Sequence, residues 1–139
     1  MHDASMSSLR CPCGGDSYEA CCGRFHAGAE PTTPEELMRS RYSAFVKRDA
    51  AYLWKTLHPD HDERADEARF QKSIREHFTS RLVYRGLTIL GTTEPDAEGV
   101  ATVTFRASVE QRGRDRSFSE RSLFVHDGTG WRYLTGTIS

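Results

Sequence analysis

The sequence predicts an α+β domain: three helices packed in a curved, four-stranded antiparallel sheet, preceded by a small cysteine knuckle. Three observations carry this. All four cysteines lie within the first 22 of 139 residues. Residues 34–78 show an apolar period of about 3.6 between helix caps and stops. From residue 81 the period becomes two, broken by Gly and Asp turns. Helices followed by a run of strands segregate into layers, unlike the alternating units of a parallel sheet.

Each element has its own signal. Residues 1–10 are small and polar and read as a tail. Residues 11–23 hold the cysteines, and 24–34, rich in Gly, Ala and Pro, read as a linker. Thr33-Pro34-Glu35-Glu36 opens the first helix with a hydroxyl cap, a proline at the first position and acids in the first turn. That helix runs to about Arg48. Asp49 caps a second over 50–58, which Pro59 stops. A polar connection leads to a third over 65–78. Strands follow over 81–92, 101–109, 117–126 and 131–138, with turns at Glu94–Gly99, Gly113 and Asp127–Gly130. In the second strand Ala101, Val103, Phe105, Ala107 and Val109 alternate with polar residues, so one face is wet. The division is 1–33 for knuckle and linker and 34–139 for the body. Because the cysteines are local, the body is expected to fold without the knuckle. Its curved sheet leaves a concave face suited to a small ligand.

Charge and hydropathy exclude several classes. Nineteen basic against 20 acidic residues give a net charge of −1, so no overall field draws the chain to nucleic acid. Residues 101–139 hold a local excess of arginine (Arg106, Arg112, Arg114, Arg116, Arg121, Arg132) without the aromatic interleaving of a single-strand binder. No apolar run approaches the roughly 18 residues of a membrane helix, and Met1-His2-Asp3-Ala4-Ser5 lacks a secretory signal pattern. A cytoplasmic protein is expected, with no membrane partner.

Clustered thiols in a reducing compartment point to a metal. Cys11, Cys13, Cys21 and Cys22 are spaced C-x-C-x7-C-C, two short pairs that can reach four tetrahedral corners around zinc. Gly14 and Gly15 let the backbone turn its amides toward sulfur. His26 is a substitute ligand, but four cysteines already fill the shell. A closed four-sulfur shell is structural rather than catalytic.

The cysteine segment resembles the SEC-C zinc motif, found also at the C-terminus of the SecA translocation motor. It departs from that motif in having seven rather than eight residues between the pairs, and in a loop that carries Asp16 and Glu19 and no base. Phosphate docking by this knuckle is therefore disfavoured. Glu36-Leu37-Met38-Arg39-Ser40-Arg41-Tyr42-Ser43-Ala44-Phe45, with Tyr52-Leu53, Thr56, His58-Pro59, Glu120-Arg121-Ser122-Leu123-Phe124, Trp131-Arg132-Tyr133 and Gly136, is similar to the YchJ-like family. The resemblance implies a cone of the nuclear-transport-factor-2 (NTF2) and ketosteroid-isomerase type behind the zinc knuckle. It implies a fold and no particular activity.

Two charges fall where a core is expected. On the first helix Leu37, Met38, Tyr42, Ala44, Phe45 and Val46 form one apolar arc that includes Arg41, whereas Arg39, Ser43 and Lys47 lie outside it and read as solvated. On the third strand Phe118, Glu120, Ser122 and Phe124 share a face. Arg41 and Glu120 are thus expected to meet inside, either as a buried ion pair or as a pocket in which Arg41 clamps an anionic ligand and Glu120 orients it or acts as a base. Tyr42 and Ser122 belong to the same candidate pocket. His58, beside Asp60 and His61, is a further candidate for its rim.

These readings favour a zinc-binding adaptor or binding protein. Its knuckle docks a protein partner, and its cone serves as a body or holds a small ligand. The alternatives are an enzyme acting on a small substrate in the cone, and a ribosome- or nucleic-acid-associated factor. No phosphate loop or H-E-x-x-H motif supports a named chemistry.

Overall fold

The computed structural model describes residues 9–139; residues 1–8 of the expected tail lie outside the described residues. A short helix α1 (Cys22–His26) precedes α2 (Pro34–Lys47), α3 (Ala50–Lys55), a 3-10 turn (Asp62–Ala65) and α4 (Glu67–Phe78). Strands β1 (Leu82–Thr92), β2 (Val100–Gln111), β3 (Arg114–Asp115), β4 (Phe118–His126) and β5 (Trp131–Ile138) follow. The sheet is antiparallel in the order β1-β2-β4-β5, and the two-residue β3 pairs with the end of β2. The α+β class and the four main strands are those the periodicity predicts. Among the described residues no helix is long and apolar enough to cross a membrane.

Caps set the helix starts. The Thr33 hydroxyl accepts the Glu36 N–H at 3.1 Å, while Glu36 Oε1 accepts the Thr32 N–H at 2.8 Å. Asp49 and Asp66 cap α3 and α4 through the N–H groups of Tyr52 and Arg69. The second helix ends at Lys55, earlier than Pro59 would require. Residues 56–58 instead run along β5: Tyr133 N–H donates to Thr56 O and His58 N–H to Tyr133 O, both at 2.8 Å, around a parallel bridge at Leu57. Sheet pairing overrides local helix propensity there.

Register shifts at Tyr84/Gly86 and Ile89/Gly91 in β1, and at Leu123/Phe124 between β4 and β5, bend the sheet around α2. One side of α2 packs Leu37, Met38 and Tyr42 on Val103, Phe105, Ala107, Val109 and Phe124. Ala44 joins Tyr52, Leu53, Leu57, Phe70 and Ile74 in a second cluster.

The knuckle is part of this core. Cys11, Cys13 and Cys22 are buried with the first cluster, and Phe25 with the second. Part of the expected linker is therefore α1, because Phe25 has an apolar site to fill. The side of α2 that reads as solvated lies beneath the knuckle: Ser43 is fully buried with its Oγ 3.4 Å from Cys11 Sγ. Arg39 donates to Cys13 O at 3.0 Å, and Lys47 Nζ sits 4.4 Å above the Tyr18 ring. Arg132 is not on a basic surface face. It is 5% exposed, bound to Glu30 at 2.9 Å and to Asp127 at 3.1 Å, and so holds the linker to β5.

Candidate functional site

Two arrangements of side chains offer chemistry. The first is the four-sulfur cluster. All four Sγ atoms lie within 4.8 Å of one another, and the thiols are free. Cys13 and Cys21 sulfurs are 3.5 Å apart, far beyond a disulfide bond of about 2.05 Å. A tetrahedron with metal–sulfur bonds of about 2.3 Å needs sulfur separations of about 3.8 Å. The spacing thus suits a metal. Gly14, at φ +104°, makes the turn after Cys13, and a Cβ on Gly15 would stand 2.8 Å from Cys21 Sγ.

Electrostatics lead to the same fit. A hydrogen bond from Cys22, opposed by burial and helped by one from the Gly15 backbone, brings Cys13 down to about 4. Burial and the neighbouring Cys13 then push Cys21 up to about 11, and the bond to Cys13 raises Cys22 as well. Without a cation the cluster resists carrying several thiolates; a bound divalent ion relieves that repulsion. His26 is excluded as a ligand. Its Nε2 donates to Ser40 O at 2.8 Å, so its Nδ1 accepts the Tyr18 hydroxyl at 2.6 Å.

The second arrangement is a cavity of about 310 Å³ in the mouth of the cone. The helical spacing 38, 41, 42, 45 aims Met38, Arg41, Tyr42 and Phe45 of α2 at it, and strand alternation does the same for Phe118, Glu120, Ser122 and Phe124 of β4. Phe105 and Ala107 of β2 and Tyr133 of β5 complete its inner wall. His77 and Tyr84 share a 2.7 Å hydrogen bond at its flank; burial lowers the His77 pKa and pushes Tyr84 up to about 12.

Arg41, Tyr42, Glu120 and Ser122 therefore line one space. His58 does not. Its ring accepts the Asp60 N–H at 3.0 Å on the connection, and His61, one helical turn's length further on, lines the cavity with Glu63. Arg41 and Glu120 make no direct ion pair. Arg41 donates through one nitrogen to Leu53 O at 3.0 Å and Thr56 Oγ1 at 2.6 Å, and its guanidinium lies 4.8 Å over the Tyr133 ring. Burial brings its pKa down to about 10, so it stays charged at neutral pH. Glu120 Oε2 accepts both the Ser122 hydroxyl at 2.7 Å and the Tyr133 hydroxyl at 2.9 Å. Burial and the adjacent carboxylate raise the Tyr133 pKa, which keeps its proton in place. Tyr133 thus stands between the two charges. Its signal in the sequence was faint: it alternates with Arg132 on a strand that reads mainly as a closing edge.

A bent sheet closed over helices around such a cavity, with four cysteines packed on the main helix, defines an NTF2-like cone carrying a SEC-C-type knuckle. The family model described as "YchJ, middle NTF2-like domain" matches residues 33–136. The chain belongs to the YchJ family. It is 48% identical over 129 residues to a UPF0225 protein of Streptomyces avermitilis, covering 91% of this chain and 82% of that one. It is 38% identical over 145 residues to a UPF0225 protein of Ralstonia nicotianae, covering 98% and 96%. Among solved structures it is similar to a SEC-C motif containing protein from Rhodopseudomonas palustris, with a TM-score of 0.75, 28% identity and coverage of 93% and 98%. It is also similar to one from Psychrobacter arcticus, with a TM-score of 0.76, 26% identity and coverage of 97% and 85%.

Proposed function

We propose that the protein is a zinc-stabilised, cytoplasmic binding protein whose cone holds a small ligand. One observation carries the reading: Arg41 and Glu120 both line the cavity, each hydrogen-bonded to neutral partners and without a direct ion pair between them. A purely structural pair would gain from direct contact, because an uncompensated charge in a low-dielectric space is costly. The aromatic walls supply the apolar area that small-molecule sites use for affinity.

Zinc is the metal the four thiols suit best, and a closed sulfur shell gives it a structural task. Its support falls on α2, the helix whose opposite side lines the cavity. Partner docking by the knuckle has less behind it, since Cys11, Cys13 and Cys22 face α2. A ligand-observed NMR screen of one- and two-ring aromatic compounds tests the cone, with Ala107→Leu to fill it. Hits that vanish in the filled variant support the reading. An empty screen, or hits indifferent to filling, would leave the cone as a scaffold.

A further inference from the structure

We infer that the cone selects a neutral, flat ligand whose polar edge places a hydrogen-bond donor beside an acceptor, as in a primary carboxamide or a lactam. This deepens the binding-cone reading and rests on it. The acceptor on the protein side is Glu120. Its Oε2 is taken by Ser122 and Tyr133, and no protein donor among the described residues reaches its Oε1. Gly136 leaves the carboxylate its room, since a Cβ there would collide with Glu120 Oε2 and approach the Tyr133 hydroxyl.

The donors are Arg41 and His61. A guanidinium carries five N–H groups, and among the described residues only one Arg41 nitrogen is engaged, with Leu53 O and Thr56 Oγ1. His61 Nδ1 accepts the Glu63 N–H at 3.0 Å, which places the proton of the neutral ring on Nε2. Burial lowers the His61 pKa, so the ring is a neutral donor at neutral pH.

Charge then decides the class. Glu63 also lines the space, so a carboxylate ligand that reaches Arg41 meets Glu120 and Glu63, and an ammonium that reaches Glu120 also meets Arg41. The anionic ligand expected of a pocket in which Arg41 clamps and Glu120 orients is disfavoured for that reason. A neutral edge with one donor and one acceptor satisfies both groups and leaves neither charge facing a like one. Phe105, Phe118 and Phe124 supply apolar wall around such a body. A space of about 310 Å³ limits that body to one or two rings.

Naphthamide, naphthoate and naphthylmethylammonium, substituted at the same ring position, test the inference by calorimetric titration of the full chain at neutral pH. The amide is expected to bind at least about tenfold tighter than either ion. Glu120→Gln, nearly isosteric, should raise naphthoate affinity about tenfold and bring it level with or above the amide. Circular dichroism checks that this variant stays folded, and Ser122→Ala, which removes one of the two donors to Glu120 Oε2 without changing charge, should keep the order amide above naphthoate. A naphthoate or ammonium that leads in the wild type, or a ranking unmoved by Glu120→Gln, overturns the ligand class while leaving a binding cone. If none of the probes binds at about 1 mM, the cone reading itself falls with it.

Discussion

Arg132→Met tests how the linker is tied to the body. Arg132 is 5% exposed and bridges Glu30 through two nitrogens, at 2.9 and 3.3 Å, and Asp127 at 3.1 Å. Removing one partner of a fully buried ion pair costs about 3–5 kcal/mol. Here the stranded carboxylates keep some water, with side chains 31% and 20% exposed, and Glu30 retains Lys55 at 3.6 Å. Methionine also preserves most of the apolar stem. The expected loss is therefore about 2–3 kcal/mol, or roughly 6–12 °C in melting temperature for a domain of this size. Acid supplies an independent check. Hydrogen bonding and charge from Arg132 hold the Glu30 carboxyl below its ordinary range; backbone N–H groups of Gly130 and Thr129, and Arg132, outweigh burial to do the same for Asp127. Groups with depressed folded-state pKa values stabilise the fold above the ordinary carboxylate range and lose that contribution as pH falls through the lowered values. The wild type should thus lose stability in acid more steeply than Arg132→Met. Urea melts of Arg132→Met, Glu30→Gln and the double variant at several pH values read both effects. A loss under about 0.5 kcal/mol, or additivity of the two changes, would refute the reasoning.

Protein purified without chelator should contain about one zinc per chain by elemental analysis, and Cys→Ser at any of Cys11, Cys13, Cys21 or Cys22 should abolish it; metal-free protein with all four thiols titratable would contradict this. Gly136→Ala should cost about 1–3 kcal/mol in urea melts and abolish probe binding, because its Cβ meets the Glu120 carboxylate and the Tyr133 hydroxyl. Unchanged binding would mean that Glu120 moves aside freely. Deleting residues 1–33 removes Phe25 and Glu30 and uncovers Ser43, so residues 34–139 should be destabilised by about 3 kcal/mol or more. An unaltered melt of that fragment would make the knuckle the independent unit its local cysteines suggest.

Strong periodicity was legible and weak periodicity was not. The alternation of Phe118, Glu120, Ser122 and Phe124, and the arc of α2 holding Arg41, placed four residues around one cavity because each element has a single dominant repeat. What could not be read was that Arg41 and Glu120 make no direct ion pair, since facing one space does not fix contact and Tyr133 enters from a different strand. The second error has the same origin. Arg39, Ser43 and Lys47 suit either water or a polar neighbour, and nothing in a helical projection announces a knuckle docking from outside the helix. Phe25 was the missed clue: a large apolar residue in an otherwise small and polar stretch needs a place to bury itself.

Methyl chemical shifts during a naphthamide titration test the central claim most directly. Met38 and Ala107 line the cavity, whereas Leu90 is 57% exposed and away from it. A ligand held in the cone shifts the Met38 and Ala107 methyls saturably and leaves Leu90 unmoved. Shifts confined to Leu90, with Met38 and Ala107 unchanged at saturation, would contradict a binding site in the cone.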